Sequence, residues 1–214
     1  GLCNEVKVPL LIEPVSVEKA KKLRGVLDGS GKGRGSEGES ERGSGSESKG
    51  ESECESGRWV VDYITPSENE LKSILGAEIE EGRDFNLDMD IDLNIVKAAE
   101  ELRGKGVKNV VVTLGKRGIY VSCSGGGGAG EGKKKDCWSK FMSPYRGEVV
   151  DVTGAGDALV AGLVYGIYKG YSLEVGARFG LAAAALTVST KETVRRDLRE
   201  GLLRSRIKEE DNNK

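Results

Sequence analysis

The residues best suited to chemistry form a short turn in the stretch DVTGAGDALVAG. Gly154, Ala155 and Gly156 precede an apolar helical run, and Asp157 falls in its first turn. The first amides of a helix lack internal partners and lie at its positive end, so this turn could bind a phosphate. A carboxylate beside it could accept a proton from a substrate hydroxyl. The alternative is a plain helix start, with Thr153 as the N-cap and Asp157 offsetting the dipole.

Composition excludes several classes of chemistry. The 214 residues include no histidine, which excludes a Ser-His-Asp triad and a histidine-ligated metal. The four cysteines form no C-x-x-C pair, so zinc is not indicated, although a Cys123–Cys137 bridge is left open. A net charge of −2 offers no basic field for nucleic acid or membrane. No signal peptide or apolar run of about 18 residues is evident, so we expect an intracellular, by default cytoplasmic, protein, with an organelle left open.

Two segments are too polar to join a core, and the C-terminal residues are highly charged. Residues 28–57 are almost entirely Gly, Ser, Glu, Lys and Arg, and they bury too little apolar surface to offset their ordering entropy. We therefore expect a disordered insertion there, a second flexible loop over residues 122–137, and a charged tail over residues 205–214. Residues 1–27 and 58–204 remain as the folded part.

Strand and helix patterns alternate in this folded part. Strand-like runs cover residues 8–12, 59–65, 107–114, 118–122 and 148–152. Helical patterns begin at residue 16 and cover residues 67–75, 91–103, 155–169 and 173–188. Such alternation predicts an α/β fold with a mostly parallel sheet flanked by helices, whose ligands bind at the carboxyl ends of the strands.

The stretch DVTGAGDALVAG resembles the C-terminal signature of the PfkB/ribokinase family of carbohydrate kinases, D-T-x-G-A-G-D-x-F-x-A-G. Only Val152 and Leu159 depart from it. The resemblance implies a ribokinase-like fold, with ATP as phosphoryl donor and Asp157 as the general base that activates a hydroxymethyl group. It also implies an anion hole at the Gly-Ala-Gly turn and a monovalent cation, such as K⁺, near Asp151 and Thr153.

A second match lies in VVVTLGKRGIYV, residues 110–121. The family carries T-x-G-x-x-G after a core strand, where it lies along the nucleotide. Thr113, Gly115 and Gly118 match this pattern, and glycine permits close approach of the backbone to a ligand. The alternative is a glycine-containing hairpin turn without a ligand.

A third match lies in ITPSENELKSILG, residues 64–76. The family pattern N-x-x-E places a glutamate that helps to organise Mg²⁺, so the resemblance implies an indirect metal role for Glu70. Ser67 stands where the family has Asn, which puts catalytic efficiency in question. Ser-x-x-Glu is equally a capping box, a device that only starts a helix.

A fourth match, in VPLLIEPVSVEKAKKL at residues 8–23, resembles the pseudouridine kinase branch of the family. Its matching positions are Glu13, Pro14, Val15, Ser16 and Lys19. The alternative is a strand, an X-Pro turn and a serine-capped helix.

The resemblance covers only the C-terminal half of the family domain, so we expect a fragment of a longer kinase or a truncated remnant. The first hypothesis is an ATP- and Mg²⁺-dependent kinase that phosphorylates the 5′-hydroxyl of pseudouridine. The alternatives are another ribokinase- or adenosine-kinase-like enzyme, or a truncated, non-catalytic paralogue that binds nucleotide. The expected partner is a small nucleoside or sugar, with no nucleic acid or membrane; a homodimer is left open.

Overall fold

A computed structural model describes residues 8–28, 61–76, 89–123 and 138–212. The strands are β1 (Leu11–Ile12), β2 (Val61–Ile64), β3 (Val107–Thr113), β4 (Ile119–Cys123) and β5 (Trp138–Met142). The helices are α1 (Val17–Leu27), α2 (Glu68–Leu75), α3 (Met89–Gly104), α4 (Ala155–Tyr168), α5 (Leu173–Val188) and α6 (Glu200–Asn212), with a 3-10 turn at Gly115–Arg117. None of these described helices is long and apolar enough to cross a membrane.

The five strands form one mixed sheet in the order β1-β2-β3-β4-β5. β1, β2 and β3 pair in parallel, with Leu11 opposite Tyr63 and Val61 opposite Val107. β4 pairs antiparallel with β3, and β5 pairs antiparallel with β4. The predicted hairpin partner of β3 is therefore present, and β5 extends the sheet beyond it. The parallel half of the sheet therefore brings the ends of three strands to one edge, as the sequence predicts for ligand binding.

Apolar side chains cover both faces of the sheet. Along β3, Val110 and Val112 belong to the core shared with α1, α2 and α3, while Val111 belongs to the core shared with α4, α5 and α6. This alternation follows from the two-residue period of a strand. The sheet is thus buried between two helical layers, which explains its nearly continuous run of valines.

Glycines bring α4 and α5 unusually close together. A Cβ at Gly162 would lie 2.6 Å from the carbonyl oxygen of Phe179, and a Cβ at Gly166 would lie 2.5 Å from the Cα of Gly176. Because real Cβ atoms do not approach that closely, larger residues would separate the helices. This packing sets where the N-terminus of α4, and with it Asp157, stands against the sheet.

The structure departs from the sequence predictions at two places. The strand predicted over residues 148–152 is absent, because the amides of Val150 and Asp151 both donate to the carbonyl oxygen of Val188 at the end of α5, at 2.7 and 3.2 Å. The charged tail predicted from residue 205 is helical through Asn212.

The predicted insertion lies outside the described residues apart from Asp28, which caps α1. The predicted loop over residues 122–137 also lies outside them, except that its first two residues complete β4.

Candidate active site

The candidate residues gather at the carboxyl edge of the parallel strands. Glu13 follows β1, Ser67 follows β2, and Thr113 ends β3. Ser67 and Thr113 form an isolated parallel bridge, and the Thr113 amide donates to the Pro66 carbonyl at 2.9 Å. The ends of β2 and β3, and hence the predicted metal and nucleotide segments, are therefore direct neighbours.

The turn before α4 is held by contacts on both sides. Asp151 accepts a hydrogen bond from the Thr153 amide at 2.8 Å through Oδ1. Gly154 adopts a left-handed conformation with φ of 79°, and a Cβ there would lie 2.1 Å from the carbonyl oxygen of Thr193. Gly154 is therefore required by its backbone conformation and by packing, whether or not a ligand binds.

The amides at the start of α4 are not equivalent. The Ala155 amide donates to the Val152 carbonyl at 3.2 Å, which leaves it poorly placed to bind an anion. Among the described residues, no hydrogen bond uses the amides of Gly154, Gly156 or Asp157. Of the three amides predicted for the anion hole, those of Gly154 and Gly156 have no partner among the described residues, as is also true of the Asp157 amide, whereas the Ala155 amide is bonded.

The first turn of α4 has both open space for a ligand and an exposed side chain. A Cβ at Gly156 would meet no atom within 4 Å, so its backbone borders open space. The Asp157 side chain is exposed and stands in the first turn of α4. An amide without a partner among the described residues and an exposed carboxylate therefore share one helical turn.

Charge at the site is concentrated in three carboxylates from three elements. Partial burial raises the pKa of Glu13, and the negative charges of Asp157 and Glu70 raise it further. Glu13 therefore lies within electrostatic reach of both Asp157 and Glu70. By contrast, hydrogen bonds from the backbone and hydroxyl of Thr153 lower the pKa of Asp151.

Glu70 starts α2 in the manner of a capping box. Its Oε2 accepts the Ser67 amide at 2.7 Å, and the Ser67 hydroxyl accepts the Glu70 amide at 3.4 Å. The capping box that the sequence offers as the alternative to a metal role is therefore present. Among the described contacts, only one of the two carboxylate oxygens of Glu70 is engaged, so the cap does not exclude a metal role.

The predicted nucleotide segment contains one packed glycine and one open glycine. Gly118 has φ of 90°, and a Cβ there would lie 2.1 Å from the Met142 carbonyl oxygen, so packing alone requires it. Gly115 has φ of 57°, and a Cβ there would meet nothing within 4 Å. Arg117 pairs with Glu68 at 2.8 Å and ties this turn to α2. Gly115 is therefore the position at which a ligand could approach the backbone.

The sequence predicts no role in the site for Glu13, although its segment resembles the pseudouridine kinase branch of the family. It is followed by a tight turn in which the Ser16 amide donates to the Pro14 carbonyl at 2.8 Å. Val15, at the centre of this turn, has φ of 65°, which is strained for a β-branched residue. The available signal was its position directly after a parallel strand, where ligand-binding side chains collect.

Comparison with known proteins places this geometry in a family. The profile of the pfkB family carbohydrate kinases matches residues 46–198, more than two thirds of the chain. A ribokinase of Haemophilus influenzae is 30% identical over 132 residues, which cover 62% of this chain and 36% of that protein. A 1-phosphofructokinase of Escherichia coli K12 is 32% identical over 127 residues, which cover 59% and 33%. The chain thus spans about a third of the length of these curated relatives.

Solved structures share the ribokinase-like fold. A proposed sugar kinase from Clostridium perfringens superposes with a TM-score of 0.61 at 22% identity, covering 94% of this chain and 47% of that one. Arabidopsis thaliana ribokinase, solved with ribose and ATP, gives a TM-score of 0.52 at 27% identity, covering 69% and 41%. The chain belongs to the pfkB family of carbohydrate kinases.

Proposed function

We propose that this chain carries the phosphoryl-binding turn and the general base of an ATP-dependent sugar or nucleoside kinase. One observation carries the proposal: at the positive end of α4 the amides of Gly156 and Asp157 have no partner among the described residues, a Cβ at Gly156 would meet open space, and the Asp157 carboxylate is exposed. Donors and a base in this arrangement suit transfer of a phosphoryl group to an alcohol. Family membership supports the same reaction class.

In this mechanism, Asp157 accepts the proton of the attacking hydroxyl as its oxygen bonds to the γ-phosphorus of ATP, the bond from that phosphorus to the β-phosphate oxygen breaks, and ADP leaves. The amides of Gly156 and Asp157 donate to the oxygens of the transferring group, where negative charge develops. Because those amides belong to a helix packed tightly on α5, they need no rearrangement during the reaction. The base and the anion hole thereby act from one rigid element.

The nucleotide would lie along the neighbouring segment after β3. Gly115 offers open space for close backbone approach, and the Thr113 hydroxyl can donate to a phosphate or ribose oxygen. Gly118 shapes this segment by its packing against the Met142 carbonyl. ATP is the donor that the motif predicts, and the relative from Arabidopsis thaliana was solved with ATP.

The oxygen donors of the site fit magnesium in its usual kinase setting. Mg²⁺ is ordinarily held by one or two carboxylates together with substrate phosphates, rather than by an all-protein cage. The described residues contain no group of three His, Cys, Asp or Glu side chains that could hold a metal. Glu70, through its unengaged oxygen, would help to hold the ion, which neutralises phosphate charge when bound. Asp151 and Thr153 are the residues proposed for a monovalent cation such as K⁺.

The acceptor is proposed at two levels. A small sugar or nucleoside hydroxyl is the broader proposal, and it is supported by relatives that are a ribokinase and a 1-phosphofructokinase. Pseudouridine is the narrower one, and it rests only on the segment that begins at Val8 and carries Glu13 and Pro14. Adenosine and ribose are the alternatives.

The experiment is a phosphotransfer assay from ATP to pseudouridine, ribose and adenosine, with the wild-type chain and Asp157→Asn. Loss of the base should lower turnover by about 10²–10⁴-fold, the usual contribution of a positioned base, with little change in ATP affinity. Near-normal turnover in Asp157→Asn would remove Asp157 from the mechanism. Turnover of ribose or adenosine alone would reject pseudouridine.

A second candidate is a nucleotide-binding protein without catalysis. The observation that favours it is Ser67, which stands where the family has Asn. ATP binding with no transfer to any of the three acceptors would support this candidate over the first.

A further inference from the structure

Helix α6 buries a carboxylate where a helix would normally place an apolar side chain. Leu203, Ile207 and Glu210 are spaced by four and three residues, so they share one face of the helix. Leu203 is 6% exposed, and Ile207 packs against the same core. Glu210 is also only 6% exposed.

This position is unfavourable for a glutamate in two respects. A buried carboxylate loses its hydration and needs a strong partner. It also stands in the last turn of α6, near the negative end of the helix dipole. The stability of the helix therefore does not explain why a glutamate stands here. A contact outside the helix does explain it, because Glu210 Oε2 accepts a hydrogen bond from the backbone amide of Arg146 at 3.2 Å.

The segment that Glu210 holds is fixed by its neighbours as well. Tyr145 is 9% exposed, and its hydroxyl accepts a hydrogen bond from Arg178 on α5 at 3.4 Å. The Arg206 guanidinium lies 5.8 Å from the centre of the Tyr145 ring, and a Cβ at Gly147 would be 3.7 Å from the same side chain. Residues 145–147 are thus clamped between α5 and α6.

The clamped segment leads directly into the candidate active site. Three residues after Gly147, the amides of Val150 and Asp151 reach the Val188 carbonyl, and the turn to Asp157 follows. No helix or strand intervenes between residue 147 and α4. The position of the turn therefore depends on where residues 145–147 are held.

We infer that Glu210 is a positioning residue of the candidate active site, which acts through the Arg146 amide on residues 150–157. The inference rests on the proposed function for its consequence in catalysis. Its structural part, that Glu210 restrains the chain leading to the site, stands independently.

The test compares Glu210→Leu with Glu210→Gln in the full chain. Leucine suits the apolar face of α6 and removes the buried charge, which should stabilise the fold. It also leaves the Arg146 amide without an acceptor, which should destabilise the fold. Because the two effects oppose each other, we expect a melting temperature close to that of the wild type. Glutamine keeps a carbonyl oxygen as the acceptor. Glu210→Met supplies a second apolar variant should the leucine variant fail to fold, and Lys208→Gln, at an exposed position, is the control for loss of a charge on the same helix.

Two readouts separate positioning from stability: hydrogen exchange of the Val150 and Asp151 amides, and affinity for a fluorescent ATP analogue. We expect Glu210→Leu to speed that exchange by about tenfold or more and to weaken nucleotide binding, while Glu210→Gln and Lys208→Gln resemble the wild type. Wild-type exchange in the leucine variant would overturn the inference, as would a glutamine variant as impaired as the leucine variant. If the wild type does not bind the analogue, the proposed function fails, and the exchange experiment still decides the role of Glu210.

Discussion

Two glycines of the candidate turn have opposite surroundings although they stand two residues apart. Gly154 is left-handed and lies against the Thr193 carbonyl, whereas Gly156 borders open space. The first is therefore required for folding. The second is available for a ligand, because only an absent side chain lets a phosphoryl group approach the amides of Gly156 and Asp157.

Alanine at each position should separate these roles. Gly154→Ala should lower the free energy of unfolding by more than about 1 kcal/mol, because its backbone conformation and a clash both oppose a Cβ. Gly156→Ala should raise it by about 0.5–1 kcal/mol, since alanine is favoured in a helix, and yet weaken ATP binding. Denaturant unfolding and titration of a fluorescent ATP analogue measure the two effects. Unchanged nucleotide affinity in a stable Gly156→Ala variant would contradict an anion hole at this turn.

At the scale of elements, α6 is attached to the helical layer by a polar and aromatic network. Glu200 accepts hydrogen bonds from Tyr165 of α4 and from Arg204 at 2.8 Å. Arg204 also donates to the Tyr171 hydroxyl at 2.6 Å, and Tyr171 stacks on Phe179 of α5. The sequence predicts a charged tail from residue 205, but the apolar residues of α6 have a core to cover, so the helix continues.

The hydrogen bonds from Tyr165 and Arg204 lower the pKa of Glu200 below its ordinary value of 4.5. A lowered pKa in the folded state adds stability above the ordinary pKa, and that stability is lost as the pH falls through the folded value. Glu200→Gln cannot ionise, so its melting temperature should be lower than that of the wild type at pH 7. The difference should shrink as the pH falls below the ordinary value of 4.5 and the wild-type carboxylate takes up a proton. A difference that is constant from pH 7 to pH 3 would exclude this ionic contribution.

At the scale of the whole molecule, the polar insertion enters and leaves the fold at one place. The Asp28 carboxylate, at the end of α1, pairs with Lys105. The Val61 amide, at the start of β2, donates to the carbonyl of Gly106, the residue after Lys105. The two ends of the insertion are therefore close together, and a short connection could join them.

Deleting residues 30–56 leaves five residues between Asp28 and Val61, an ordinary length for a helix-to-strand loop. We expect the melting temperature to change little, because the removed residues are too polar to contribute to a core. Thermal unfolding of the shortened chain, monitored by circular dichroism, measures this. A large drop in melting temperature would show that the insertion contributes to the fold.

Most elements could be predicted from local pattern. The helices that begin at residues 155 and 173, and the strand that begins at Val107, follow directly from apolar periodicity and turn residues. Residues 148–152 could not be assigned in this way. They are rich in valine, but the acceptor for their amides lies at the end of α5, and local pattern does not reveal so distant a partner.

The sequence by itself determined the family, the α/β alternation and the residues of the candidate site, because glycine spacing and a neighbouring carboxylate are local properties. Only the tertiary structure decided which glycines are packed and which are open, that the Ala155 amide is already bonded, and that Glu13 and Glu210 have roles to be tested. The physical reason is that each of these depends on atoms contributed by distant segments, such as the carbonyls of Thr193 and Met142. Chain-local pattern predicts what a residue can do, and packing determines whether it is free to do it.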